Sequence, residues 1–285
     1  MITSVIIRPA NKEDQPGISS LISTENYVNR HLDWRNPLDW LGYQSYWVLE
    51  SKGQILAALA ITADPEWVAW VRLFSTSSNL HPLDTWKLLF EKAVQYFTQK
   101  PHVVIAALAM HNWFFDILIK TTFSHHQDIV VLKWENQILD KPHIASNTSV
   151  REMLPADFER VLTIDQISFE SLWQFSMESL ILAYRQSAYS TVVLQSERVV
   201  GFQISTANQS NAHLARIAIH PVEQKHNYGS ILVHDMLQFF NKRNFHSITV
   251  NTQHDNHASL SLYAKSGFVF TGDTYPVFIY NPTNP

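Results

Sequence analysis

Between an apolar run that ends at Ile219 and a helical pattern that begins near Tyr228 stand Gln224, Lys225, His226, Asn227, Tyr228, Gly229 and Ser230. The first turn of any helix carries unpaired N–H groups and a partial positive charge. A loop that folds back over that terminus adds more N–H groups, and together they make an anion site suited to a pyrophosphate. Gly229 would let the backbone approach a ligand closely. Asn227 is the best substitute for glycine where a left-handed conformation is required. Pro221 ends strand pairing just before the loop. An ordinary strand-to-helix turn has the same ingredients, so this loop alone decides nothing. A second cluster follows after one more strand pattern. In "NHASLSLYAKSGF", Asn256, Leu260 and Tyr263 fall near one face of a helix, and Gly267 stands where a helix end calls for glycine.

Bulk composition removes several alternatives. The chain has 285 residues, a net charge of -4 and no cysteine. No basic surplus suggests binding to DNA or RNA. Disulfides, thiolate metal sites and a cysteine nucleophile are excluded together. The 14 histidines invite a metal, but there is no HExxH and no tight ligand pair with a matching carboxylate. His125 and His126 read as part of a polar turn, so no metal is expected. The start, "MITSVIIRPANKEDQP", lacks the basic and apolar regions of a signal peptide. No apolar run reaches the length of a membrane span. A cytoplasmic protein that touches no membrane is the expectation.

The elements that must position these residues come in two copies. "SVIIRPANKEDQPGISSLI" and "SVREMLPADFERVLTIDQI" both read as a strand, a turn and an acidic helix start. Two strand patterns follow in each half, "YWVLES" with "QILAALAIT" and "STVVLQS" with "RVVGFQIST". Then come "EWVAWVRLF" or "AHLARIAIH", an amphipathic helix, a strand, a short helix and a closing strand. The implied order is β-α-(α)-β-β-β-α-β-α-β, twice. The strands are rich in Val and Ile and alternate poorly, as in a sheet covered on both faces. The fold class is therefore α+β, an α/β sandwich in two domains, residues 1–140 and 148–285. The boundary is expected in the polar stretch 139–150, which carries Pro142. The first half holds Trp34, Trp40, Trp47, Trp67, Trp70, Trp86, Trp113 and Trp134, against Trp173 alone in the second. Such bulk fills space, whereas a ligand cleft needs emptiness.

Taken together, the two motifs resemble those of the GNAT superfamily of acetyl-CoA-dependent N-acetyltransferases. Its pyrophosphate loop, Gln/Arg-x-x-Gly-x-Gly/Ala, is similar to Gln224 through Gly229 behind "IAIHP", with Asn227 in place of the first glycine. Its second motif is similar to Asn256, Ala258 (one step offset), Leu262, Tyr263, Lys265, Gly267 and Phe268. The match covers about residues 149–280, and the first half follows the same element order. The resemblance implies two GNAT-like domains, each a mixed, mostly antiparallel sheet flanked by helices.

It also implies roles. Acetyl-CoA would be the co-substrate. Backbone N–H groups of Ile217, Ala218 and Ile219, where the strands splay, would hold its acetyl and pantetheine portions. Residues 224–230 would hold the pyrophosphate, and Asn256 would bond the cofactor arm. Tyr263 would give its proton to the departing thiolate. The glutamate base of one branch falls at Asn251, which cannot act as a base; that of others falls at His213, whose neutral imidazole can take a proton from an ammonium, directly or through water. Phe169, Glu170 and Trp173 would line the acceptor site, for a primary amine on a peptide N-terminus or a small molecule. In the first half, "SSNLHPLDTWKLL" has no glycine, Trp86 stands near the place of Gly229, and Leu118 or Ile117 replaces the tyrosine. That half is expected not to bind the cofactor. The loop and base departures also fit a non-catalytic acyl-CoA-binding sensor or a regulatory subunit, and the oligomeric state is left open.

Overall fold

The computed structural model describes residues 5–100, 102–135 and 142–283. The chain divides into two compact units, residues 1–127 with 275–285, and residues 128–274. The first contains β1 (Val5–Pro9), α1 (Gln15–Thr24), β2 (Tyr27–Arg30), β3 (Tyr46–Ser51), β4 (Gln54–Ala63), β5 (Val68–Thr76), α2 (Pro82–Phe97), β6 (Val104–Leu108) and α3 (Asn112–Ile119). β7 (Ser124–Glu135) starts in the first unit and ends in the second. The second contains β8 (Thr148–Glu152), α4 (Phe158–Ser168), α5 (Met177–Gln186), β9 (Tyr189–Gln195), β10 (Arg198–Asn208), β11 (Asn211–Ile219), α6 (Tyr228–Asn241), β12 (Ser247–Gln253) and α7 (His257–Lys265). β13 (Val269–Tyr280) starts there and ends in the first unit.

Each sheet is mixed and mostly antiparallel. In the first unit the order is β1-β3-β4-β5-β6, with β5 and β6 parallel, and the end of β13 pairs antiparallel to β6. In the second it is β8-β9-β10-β11-β12, with β11 and β12 parallel, and residues 129–135 of β7 pair antiparallel to β12. Each unit is thus completed by a strand that lies beside the other in sequence. The expected polar boundary at 139–150 falls partly outside the described residues. The expected segments 1–140 and 148–285 differ from the compact units in these two shared strands. His125 and His126 are exposed but lie in β7, not in a turn.

The duplication extends to single side chains. Arg8 grips Asp14 at 2.7 and 2.8 Å, and the Asn11 N–H donates to the same carboxylate. Arg151 grips Asp157 at 2.7 and 2.8 Å, and the Leu154 N–H donates likewise. Both carboxylates lie below the usual range, held chiefly by the arginine hydrogen bonds. A bulge recurs as well. It leaves Arg72 extra between Val71 and Leu73 on β5, and Ala215 extra between Leu214 and Arg216 on β11. Residues 73–76 of the first unit therefore correspond to 216–219 of the second.

The two units diverge at that point. β5 pairs β6 only from Val68 to Trp70, and then the parallel strands part. β2 enters the gap and pairs antiparallel with residues 73–76 of β5. The Asn29 amide bridges from β2 to the far side, donating to the Leu108 carbonyl at 3.4 Å and accepting from the Met110 N–H at 3.3 Å. Asn29 is buried, so its loss leaves two backbone groups unsatisfied. We predict that Asn29→Leu destabilises the protein by about 1–3 kcal/mol. Urea unfolding would measure this, and an unchanged midpoint would show that the bridge is dispensable.

Trp86 is fully buried in the core, with ring centroids 5.1 Å from Phe74, 5.0 Å from Phe90 and 5.3 Å from Phe114. It is the fifth residue of α2, as Leu232 is of α6, so Leu83 and not Trp86 matches Gly229. The indole therefore does not stand at the helix start; β2 is what fills the cleft of this unit.

Candidate active site

In the second unit no described strand enters the corresponding gap. β11 pairs β12 from Asn211 to Leu214 and no further. The His220 N–H donates to the Val200 carbonyl, which fixes the alternation along β10 and β11. By that alternation Ala218 spends its N–H on β10, whereas Ile217 and Ile219 turn theirs toward the gap. The Ile219 carbonyl accepts from Ser168 Oγ and Gln224 Nε2, both at 3.2 Å. The free donors of the edge are thus the N–H groups of Ile217 and Ile219.

The loop after β11 is built for donors too. Glu223 is pinned by an ion pair with Arg198, and His226 Nδ1 lies 3.2 Å from the Glu223 carbonyl. Lys225 and Asn227 are both left-handed, at φ 65° each. Two left-handed residues so close together turn the chain sharply just before α6. Asn227 caps α6 without a side-chain bond, and the first helical bond runs from the Ile231 N–H to the Asn227 carbonyl. The N–H groups of Tyr228, Gly229 and Ser230 precede it and have no intrahelical acceptor. No acidic residue stands in this first turn. In the first unit the matching loop is residues 77–81, five residues against the eight of 220–227, and Asp84 puts a carboxylate in the first turn of α2.

Gly229 has a second reason to be glycine. A Cβ there would lie 3.1 Å from Leu262 Cδ2 and 3.9 Å from Ile219 Cγ1. The absent side chain lets α6 settle against α7, the helix that carries Tyr263.

Tyr263 lies in one core cluster with Leu214, Val233, Met236 and Val250, and is 3% exposed. Among the described residues its hydroxyl has no hydrogen-bond partner. Burial pushes the phenol well above its ordinary range, so it is protonated at any physiological pH. Asn256 caps α7, its oxygen accepting from the Ser259 N–H at 3.1 Å, and its Nδ2 lies 3.4 Å from Gln253 Oε1. α7 closes on Gly267 at φ 86°, with the Phe268 N–H on the Tyr263 carbonyl.

His213 is on the other face. Leu214 packs toward α6, so by alternation His213 faces the α4 and α5 side, and the bulge at Ala215 brings Arg216 to the same side. His213 Nδ1 lies 2.8 Å from Thr249 Oγ1, its neighbour on β12. Burial lowers the imidazole pKa below 6.5. Asn251 follows two residues after Thr249 on β12.

The expected acceptor residues lie between α4 and α5, where Phe169 and Trp173 are half-buried and Glu170 is exposed. Phe169 and Trp173 meet Arg216, whose role the sequence did not signal by spacing. Its guanidinium lies 3.6 Å from the Phe169 ring centroid and 4.3 Å from that of Phe175. A charge inside the apolar strand "ARIAI" is the signal that could have found it. Among the described residues no group of three His, Asp or Glu side chains is placed to hold a metal. No helix among them is long and apolar enough to cross a membrane.

A mixed sheet that parts beside an uncapped helix N-terminus, built twice, defines a tandem GNAT fold. Residues 158–268, within the second unit, match the model of the acetyltransferase (GNAT) family. A GCN5-related N-acetyltransferase from Sphaerobacter thermophilus is 12% identical, with a TM-score of 0.67 over 98% of this chain and 96% of that one. A tandem GNAT protein from the clavulanic acid biosynthesis pathway is also 12% identical, at 0.68 over 98% and 99%. A GCN5-related glucosamine N-acetyltransferase region of a fungal multi-domain β-N-acetylglucosaminidase is 12% identical, at 0.69 over 97% of this chain and 38% of that one. At such identity the likeness is one of fold. No curated protein matches the sequence.

Proposed function

We propose that the second unit is an N-acetyltransferase that moves an acetyl group from acetyl-CoA to a primary amine by direct attack, and that the first unit does not hold the cofactor. The observation that carries this reading is internal. In the first unit the gap accepts an extended chain, β2, which bonds to the edge of β5 and bridges to the end of β6. In the second unit no described strand pairs with the same edge. Pantetheine is itself an extended chain with two amides, and the N–H groups at the start of α6 offer donors for the pyrophosphate that would follow.

The chemistry follows from the two faces. The thioester carbonyl lies along β11, with its oxygen toward the Ile217 N–H, a donor for the developing oxyanion. The amine enters from the α4 and α5 side, loses its ammonium proton to His213 through water, and attacks the carbonyl carbon. About 13 Å of strand separate His213 from Ile217, which makes the relay through water necessary. A C–N bond forms and the C–S bond breaks. The sulfur departs toward α7, where Tyr263 donates its hydroxyl proton, while the nitrogen sheds its second proton to water as the amide forms and the phenolate regains one from water. Acid and base thus act from opposite faces of one parted sheet. The acceptor-side residues Phe169, Glu170 and Trp173 present the amine, from a small molecule or a peptide N-terminus.

Calorimetric titration with acetyl-CoA, followed by thiol release over a panel of amines, tests this reading. Binding with turnover supports it. Binding without turnover on any amine would favour a sensor, and no binding would remove both readings. The pH profile tests the base. His213 accepts a proton only when neutral, and burial lowers its pKa, so kcat/KM falls with acid through a midpoint below pH 6.5. His213→Gln should lower the rate about 100-fold and remove that limb. The same limb in the variant would exclude His213.

A further inference from the structure

We infer that Arg216 and Asp165 are the positioning residues of the acceptor side, an ion-pair latch that holds segment 169–175 in place against β11. This rests on the acetyltransferase reading for its substrate, but its geometry stands alone. Asp165 is fully buried on α4, and Arg216 is 11% exposed on β11. Arg216 Nε donates to Asp165 Oδ2 at 2.7 Å, and Arg216 Nη2 donates to the Trp173 carbonyl at 2.5 Å. The other oxygen of Asp165 accepts from the Phe175 N–H at 2.8 Å. The guanidinium is flanked by the rings of Phe169 and Phe175. The latch therefore touches the segment at Phe169, Trp173 and Phe175. Gln174 closes the loop on itself, donating to the carbonyls of Gln166 and Phe169 at 2.6 and 3.0 Å.

Stability does not account for this arrangement. A buried ion pair gives back in attraction about what it loses in hydration, and apolar pairs of similar volume often serve as well or better. What the pair adds is direction. A planar fork fixes a carboxylate, a carbonyl and two rings at once, which a lysine cannot do. The bulge at Ala215 sets the face from which Arg216 points, so one strand serves both ligands. Its edge holds the thioester, and its face, through Arg216, sets the wall against which the amine rests. The acceptor wall is preformed.

The test is the double variant Asp165→Leu with Arg216→Met, alongside Arg216→Lys. The double variant removes both charges together and leaves neither buried and unpaired, so it should still fold, with its Tm lowered only by the freed Phe175 N–H and Trp173 carbonyl. Its affinity for CoA should stay within about twofold, because the substitutions change side chains on the α4 and α5 side and keep the backbone N–H groups of Ile217 and Ile219. Amide exchange over 169–175, read by mass spectrometry, should rise by about tenfold or more, with residues 224–231 unchanged. With acetyl-CoA and either glucosamine or an alanine-leading hexapeptide, the acceptor KM should rise by about tenfold or more, with kcat changed far less. Arg216→Lys keeps the charge and should not rescue KM. Unaltered exchange in the folded double variant overturns the latch, as does an unaltered acceptor KM. If the parent turns over neither amine, the acetyltransferase reading is what suffers, and exchange alone still decides the latch.

Discussion

Replacing Tyr263 by phenylalanine is expected to lower kcat for acetyl transfer by about 100- to 1,000-fold while changing the affinity for CoA by less than about twofold. The ring is part of a core cluster with Leu214, Val233, Met236 and Val250, and phenylalanine fills the same volume. Among the described residues no group holds the hydroxyl, so its removal orphans nothing and costs little stability. Only the departing sulfur needs it. A phenol is a weak acid beside a thiol, whose ordinary pKa is about 8.5, and burial weakens it further. The proton therefore moves only as negative charge gathers on sulfur, which confines the benefit to the transition state. A thiol with a more acidic leaving group should depend less on Tyr263, so the loss in the variant should shrink with such an acetyl donor. Equal rates for parent and variant with acetyl-CoA would remove Tyr263 as the acid.

Much of this architecture is legible in the sequence. The helix expected over "PLDTWKLLFEKAVQYF" is α2 residue for residue, and the apolar runs of both halves became strands in the expected order. Periodicity reports local burial, and these elements are buried in regular ways. What escaped has a non-local cause. β2 is four residues, "YVNR", with no apolar alternation, and it is a strand because residues 73–76 of β5 lack a partner on that side. The Asp165–Arg216 pair joins residues far apart in sequence, and neither spacing nor period announces it. The shared strands β7 and β13 read correctly as strands, but sequence order says nothing about which sheet receives them. At Gly229 the residue was visible and only half its reason was. The missing side chain faces Leu262 on α7, a packing reason that arises only when the two helices meet.

The loop gives the second large effect, and it separates conformation from side-chain chemistry. Asn227 holds φ 65° and ψ 4°, a region that a β-branched residue resists strongly. Its side chain makes no capping bond, so its value lies in the backbone shape it permits. Asn227→Gly should therefore bind acetyl-CoA about as tightly as the parent, since glycine enters that region freely. Asn227→Val should oppose the conformation by about 1–2 kcal/mol or more, which at 1.4 kcal/mol per tenfold is about 5- to 30-fold in Kd. The Ile231 N–H still has the carbonyl of residue 227, and residue 227 is exposed, so the helix and the core should survive. The two variants differ in opposite ways from a contact model. If the Asn227 amide itself held the phosphate, glycine would weaken binding as much as valine. If the loop held no anion, neither change would alter Kd. Loss in valine and retention in glycine, measured by titration calorimetry against acetyl-CoA, is the result that an anion site of backbone N–H groups requires. Dephosphorylating the ligand at its ribose should leave the ratio of the two variants unchanged, while replacing acetyl-CoA by acetyl-pantetheine, which lacks the pyrophosphate, should bring the ratio to about one.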